Sequence, residues 1–232
     1  MVKISDRLKT AASLIREGAV LADVGTDHGY VPIYLLEQKK IKSAIAMDIN
    51  KGPLERAREH IHLYGMDAYI QTRLSDGVAA LEKGEADSIL VAGMGGGLVM
   101  HILEEGKDIC QAAGELILQP QSELCSVREY LAENGYVTEA ERMVFEDGKY
   151  YPMMKARKGR ESYVREIDYR FGKGLLEEKN QVLYQFLLKE QKSLETVKAR
   201  LESANTKTAK ARQKEIEIDL NYAKEALKEY EV

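Results

Sequence analysis

The sequence predicts an open α/β sheet, mostly parallel and closed by an antiparallel hairpin, followed by a pair of long helices. Three observations carry this. Short apolar runs of strand length alternate with amphipathic runs of helix length as far as Gly135. Two β-like stretches, Tyr136–Phe145 and Lys149–Ala156, then meet through Glu146-Asp147-Gly148, an Asp-Gly hairpin signal. Beyond Gly174 there is neither proline nor further glycine, and apolar residues recur at steps built from threes and fours.

The 232 residues suffice for one domain with a full core plus an appendage. No apolar run approaches the roughly 20 residues a bilayer span needs, so no membrane association is expected. The first residues, Met-Val-Lys-Ile-Ser-Asp-Arg, lack the apolar core of a signal peptide, and the expected address is the cytosol. Cys110 and Cys125 make no metal motif and the histidines show no ligand spacing, so no metal is expected and both cysteines read as small core hydrophobes. A net charge of −4 gives no global field for nucleic acid. Local basic patches remain at Lys3, Arg7 and Lys9, at Lys39, Lys40 and Lys42, and at Lys155–Arg160.

Taken in order, Ser5 and Asp6 can cap a first helix whose apolar face is Leu8, Ala11, Ala12 and Ile15, with Gly18 stopping it. Val20, Leu21, Ala22 and Val24 form a buried strand that breaks at Gly25, carries Asp27 and His28, and breaks again at Gly29. Pro32 fits the first turn of the next helix. Strand, glycine turn and helix make the ligand-binding corner of an open α/β sheet. A pyrophosphate would want Gly-x-Gly-x-x-Gly. Here only Gly25 and Gly29 are present, flanked by Asp23 and Asp27, which would repel a pyrophosphate and suit a cationic ligand. Ser43–Asp48 is a second strand; its terminal acid lies about twenty residues past the turn, the spacing at which a carboxylate accepts ribose hydroxyls. Gly52-Pro53 opens a helix with Leu54, Ala57, Ile61 and Tyr64 on one face.

Ala68–Leu74 alternates as a third strand and ends in Ser75-Asp76-Gly77, where an acid can accept an adenine amine. An intervening helix is expected before the fourth strand, Ala86–Ala92. That strand runs into Gly93-Met-Gly-Gly-Gly97, where missing side chains would let a flat ligand approach the backbone. A helix over Leu98–Leu103, a fifth strand over Gly114–Gln121 and a helix capped by Ser122 complete the pattern. Each motif also has a plainer reading (a tight turn, a surface acid closing a strand), and the residues alone leave both open.

The tail carries Leu183, Leu187, Leu194, Val197 and Leu201, interrupted by Glu190, and after Ser203-Ala-Asn-Thr206 resumes with Ile216, Leu220, Ala223, Leu227 and Tyr230. Its simplest form is an antiparallel coiled-coil hairpin. Residues 161–232 hold 14 basic and 14 acidic side chains, so this is a charge-laced arm and not a basic tail. It would serve self-association or the grip on a large substrate. The expected domains are 1–161 and 162–232.

In combination, Asp23-Val-Gly-Thr-Asp-His-Gly-Tyr-Val-Pro32, Asp48, Ser75-Asp76-Gly77, Ala92-Gly-Met-Gly-Gly96 and Gln119-Pro-Gln121 resemble the bacterial tRNA (adenine-N1)-methyltransferase family that modifies adenine 22, known as TrmK, over essentially the whole chain. Amino-group methyltransferases of planar bases would show Asn/Asp-Pro-Pro-Tyr after the fourth strand, which this chain lacks. The resemblance implies a Rossmann-like class I methyltransferase sheet and a coiled-coil arm. It also implies S-adenosyl-L-methionine as cofactor and tRNA as substrate, with no obligate protein partner. Cofactor contacts are then expected from Arg7, Asp23, Gly25, Thr26, Asp27, Gly29, Asp48, Ile49, Asn50, Asp76, Gly77, Gly93, Met94 and Gly95. Asp27 and His28 are the candidates for chemistry, Met94 for shaping the slot, and Tyr30 for packing or stacking. Lys155, Arg157 and Arg160 are expected to follow the RNA backbone. The competing readings are methylation of another RNA, a protein or a small molecule, and a non-catalytic module that binds the cofactor.

Overall fold

Strands this apolar on both faces must be covered on both, and helices on the two sides of one sheet do so. The computed structural model describes residues 2–204 and 207–231. It divides into two compact units, Met1–Ser162 and Tyr163–Val232. The first contains α1 (Asp6–Leu14), β1 (Ala19–Val24), α2 (Tyr30–Glu37), β2 (Ile41–Asp48), α3 (Lys51–Leu63), β3 (Ile70–Leu74) and β4 (Ser88–Met94). It continues with α4 (Gly96–Glu105), α5 (Lys107–Ala112), β5 (Glu115–Pro120), α6 (Leu124–Glu133), β6 (Tyr136–Glu146) and β7 (Lys149–Lys158).

The strand order is β3-β2-β1-β4-β5-β7-β6. Pairing is parallel from β3 to β5 and antiparallel where β7 joins β5 and β6. Alternate strand residues feed two apolar clusters. Ala22, Val24, Ile89, Val91, Leu116 and Leu118 pack with Val99, Leu103 and Val127 from α4 and α6. Leu21, Ala44, Ala46, Leu90 and Ile117 pack with Ala11, Ile33 and Ala57 from α1, α2 and α3. The order reverses between β1 and β4, and there a crevice opens at the carboxyl ends of the strands. Asp147 and Gly148 both take positive φ, 49° and 78°, the two-residue turn that fits the twist of the β6–β7 ribbon.

Two local expectations are corrected. No helix separates β3 from β4; residues 75–87 are turns. Arg73 reaches across this loop to the Glu85 carboxylate and to the Ala80 carbonyl (2.9 Å), and Glu85 in turn accepts from the Glu82 amide at 2.9 Å. Gly77 and Gly84 at positive φ complete a loop no helix could follow. Ser122 does not cap α6: Glu123 holds that position at φ 53°, and the Ser122 hydroxyl accepts from Gly96 N at 3.1 Å. The short α5 was not anticipated. Cys110 lies in the core, where burial pushes its thiol up to about 12, and Cys125 is half-buried. No helix among the described residues is long and apolar enough to cross a membrane.

The second unit opens with a π-helical turn, Asp168–Gly172, and α7 (Lys173–Glu177), neither legible beforehand. Arg165 fastens the turn, pairing with Asp168 at 2.6 Å and Glu229 at 2.5 Å. Then α8 (Gln181–Ala204) and α9 (Lys207–Lys228) run antiparallel, with Leu194, Ile216 and Leu220 between them and Lys198–Glu217 (2.9 Å) and Lys224–Glu195 (3.4 Å) as charged rungs. Glu190, which breaks the apolar repeat, is half-buried, and burial raises its carboxyl above the usual range. The expected break at Ser203–Thr206 falls partly on Asn205 and Thr206, which lie outside the described residues.

Candidate active site

The crevice holds a cleft of about 310 Å³. Eight of the expected cofactor residues line it: Gly25, Asp48, Ile49, Asn50, Asp76, Gly77, Gly93 and Met94. Val24, Ser75, Ala92, Leu98 and Ile102 line it too, and these the sequence reading missed. Ser75 had a signal, since it opens the same Ser-Asp-Gly turn. Leu98 looked like an ordinary first-turn residue of a helix, yet it is 47% exposed, and Ile49 58%, so two large apolar side chains stand open at the cleft.

The floor is the β1 turn. The amides of Gly25 and Thr26 both donate to Met47 O at 2.8 Å, which folds the chain back over β2. Gly25 sits at φ 73°, and a Cβ there would lie 2.2 Å from Met94 Cε. Glycine is thus required twice, by backbone conformation and by the methionine methyl seated above it. Asp23, behind the turn, is buried and does not line the cleft. Thr26 Oγ1 donates to its Oδ2 at 2.6 Å. Burial pushes the Asp23 carboxyl up to about 6, opposed by the Thr26 hydroxyl and reinforced by Asp48. No cation pairs with it among the described residues. Asp48 accepts from Asn50 N at 2.7 Å, which holds its carboxylate at the head of α3. Ser75 Oγ donates to Gly77 O and accepts from Ala80 N, both at 3.0 Å, so the Asp76 loop is braced from within.

The glycine run divides into two functions. At Gly93 (φ 80°) the β4–β5 register slips by one residue, and the Gly93 amide donates to Gln119 Oε1 at 3.2 Å. Gly93 opens the backbone to the cleft as expected. Gly96 and Gly97 instead serve packing. Their amides donate to Ser122 Oγ (3.1 Å) and Glu123 Oε2 (2.7 Å), and a Cβ on Gly96 would meet Ser122 O at 2.4 Å. Gly95, the residue before α4, faces Ser122 and not the cleft. A carboxylate therefore already caps α4, and no phosphate is needed there.

Arg7 reaches the cleft edge from α1. Its Nη1 donates to Gln119 Oε1 at 2.7 Å and its guanidinium lies over the Tyr151 ring at 5.5 Å. Asp27, His28 and Gly29 stand at the rim, outside the cleft lining. Asp27 is 72% exposed, with Arg56 Nη2 at 3.5 Å and His28 Nε2 at 3.3 Å. The His28 ring forms a mutual stack with Tyr30 and His60, centroids 4.9 to 5.2 Å apart, and His60 Nδ1 bonds the His28 carbonyl at 3.1 Å. His28 Nδ1 is buried and without a partner, so an amine donor cannot reach it from the cleft in this conformation. Tyr30 is committed to the same stack.

The expected RNA-binding residues are carried elsewhere. Because β7 runs antiparallel to β5, the chain leaves the cleft edge as it passes Tyr151, and Lys155 pairs opposite Ile117. Lys155 Nζ meets the buried Glu115 at 2.6 Å and Arg157 pairs with Glu139. Lys155 and Arg157 thus lie, with Arg160 beyond them, toward the opposite edge of the sheet. The cleft edge has its own cations, Lys51 and Arg56 on α3 and Lys149 at the hairpin turn, all exposed.

Comparison with known proteins gives a consistent picture. The sequence profile described as tRNA (adenine(22)-N(1))-methyltransferase, TrmK, matches residues 21–225. A Bacillus subtilis tRNA (adenine(22)-N(1))-methyltransferase is 42% identical over 158 residues, 68% of this chain and 66% of that relative. The crystal structure of the B. subtilis m1A22 tRNA methyltransferase TrmK superimposes with a TM-score of 0.87 at 35% identity, covering 98% of this chain and 100% of that one. A Streptococcus pneumoniae protein, Sp1610, whose crystal structure includes S-adenosyl-L-methionine, matches with a TM-score of 0.87 at 36% identity over 97% of this chain and all of its own.

Proposed function

The chain belongs to the tRNA (adenine(22)-N(1))-methyltransferase family, and from that premise we infer that it transfers a methyl group from S-adenosyl-L-methionine to N1 of adenine 22 in tRNA. The observation that carries the chemistry is the acid-lined cleft. Asp48 and Asp76 line it, and behind its floor Asp23 is a buried carboxylate with no cation beside it among the described residues. A cationic ligand with an ammonium and a sulfonium offsets that charge; a dinucleotide would add to it. In this cleft Asp48 accepts the ribose hydroxyls, the Asp76 loop accepts the adenine amine, and Ile49 and Leu98 cover the adenine faces. S-adenosyl-L-methionine supplies a methyl group on a positively charged sulfur.

N1 of neutral adenine carries an in-plane lone pair, so no base is required before attack. N1 takes the methyl in line, the electron pair of the broken C–S bond stays on sulfur, and the positive charge appears on the purine. The protein must therefore hold the two partners in line and offer an acceptor for the new charge. Asp27, exposed at the rim, is assigned that second role. His28, locked in its three-ring stack with Nε2 toward Asp27, orients the carboxylate. Met94, seated over Gly25, fixes the floor of the slot.

Adenine 22 lies inside folded tRNA and must be extruded to be reached. Lys51, Arg56 and Lys149 offer phosphate contacts on the cleft edge, and the helical arm offers further surface for the tRNA. Incubation with an unmodified tRNA transcript and methyl-labelled cofactor tests the reading. Label should enter the tRNA, and no label should enter free adenosine.

A further inference from the structure

Gln119 makes a contact that methyl transfer does not by itself require. Its side chain is fully buried at the carboxyl end of β5, and its Oε1 accepts from two donors at once: Arg7 Nη1 at 2.7 Å and Gly93 N at 3.2 Å. Both partners are donors, so the carbonyl end of the amide must face them; Nε2 turns to Pro120 O at 3.4 Å. One buried atom thereby ties α1 to the bulge of β4. Arg7 is left with a single N–H engaged and one face on Tyr151, and the rest of its fork is uncommitted among the described residues. A Cβ on Gly93 would lie 3.7 Å from Arg7 Nη1, so the guanidinium abuts a cleft-lining residue.

We propose that Gln119 is a positioning residue that aims the Arg7 guanidinium into the cleft to receive an oxyanion, and that this oxyanion is the carboxylate of the methyl donor. The proposal rests on the cofactor reading above. An amide suits the task because it orients the guanidinium without neutralising it. A glutamate would cancel the charge, and a methionine would release both donors. The carboxylate of the cofactor is favoured over an RNA phosphate because the Arg7 guanidinium abuts Gly93, a residue that lines the cleft.

The test compares affinity for S-adenosyl-L-methionine and for its decarboxylated analogue by calorimetry. The proteins are the wild type, Arg7→Met, Gln119→Met, Gln119→Glu and the double variant Arg7→Met/Gln119→Met, with tRNA affinity measured alongside. The wild type should prefer the carboxylate-bearing ligand by about tenfold or more, the strength of a charge-assisted contact. That preference should fall to near unity in every single variant and no further in the double one. A merely structural role for Gln119 would weaken both ligands equally and leave the ratio intact, which overturns the proposal. So does a preference that survives Arg7→Met, or a loss confined to tRNA binding, which would assign the oxyanion to an RNA phosphate. If Gln119→Met fails to fold, Gln119→Glu decides, since it keeps both acceptor contacts. Absence of any binding by the wild type would instead overturn the cofactor reading.

Discussion

Gly25→Ala probes the floor of the cleft through two separable effects. The backbone there has φ 73°, and forcing alanine into the left-handed region costs about 1–2 kcal/mol. For a unit of this size that corresponds to a melting temperature lower by about 2–8 °C. The second effect is steric. The new Cβ would stand 2.2 Å from Met94 Cε, against an ordinary carbon contact of about 3.5–4.0 Å, so the methyl must retreat by about 1.5 Å. Met94 lines the cleft, and its retreat takes space from the ligand. We expect cofactor affinity to fall by about 5–30-fold, equivalent to about 1–2 kcal/mol. Calorimetry and thermal melts on Gly25→Ala, Met94→Ala and the double variant separate the two. The stability loss should persist in the double variant, while most of the affinity loss due to Gly25→Ala should vanish in the Met94→Ala background. An affinity loss of the same size in both backgrounds would refute the link through the Met94 methyl.

Asp27→Ala should lower methyl transfer to tRNA by about a hundredfold or more while cofactor affinity and melting temperature hold, and unchanged turnover would remove Asp27 from the chemistry. Asp23 gives a pH signature. Its folded-state value, about 6, lies above its ordinary 3.8, so the folded protein binds more protons between those values and stability falls as pH rises through that window. The penalty reaches about 3 kcal/mol and stays constant above about pH 6. Asp23→Asn should therefore gain stability over the wild type at about pH 8 and little at about pH 4, while binding the cationic cofactor less well; equal gains at both pH values in denaturant melts would contradict it. Removal of residues 163–232 should weaken tRNA binding by more than about tenfold and leave cofactor affinity unchanged, whereas retained tRNA affinity with a changed oligomeric state would assign the arm to self-association.

The glycine-turn corner of the cleft was legible because its signals are local. An apolar run, a glycine that must take positive φ and a strand-ending acid are written within a few residues of one another, and they placed Gly25, Asp48 and Gly93 on the cleft. What escaped depends on partners distant in sequence. Ser122 reads as a helix cap until Gly96 from another loop claims its hydroxyl. The stretch between the third and fourth strands reads as helical until Arg73 and Glu85 pull it into turns. Gly96 resembles part of a ligand cradle, yet it is the Ser122–Glu123 segment that requires it. Lys155 and Arg157 were a basic patch whose distance from the cleft follows only from the direction of β7. Gln119 was quoted as part of a motif, but its joining of Arg7 to Gly93 needs three elements brought together.

The central claim is that this acid-lined cleft delivers a methyl group to one purine nitrogen. It is tested most directly by locating the modified nucleotide after reaction with an unmodified tRNA transcript. The product should be 1-methyladenosine at position 22, and it should disappear when that adenine is replaced by guanine. Methylation at another position, or label that persists after the replacement, would contradict it.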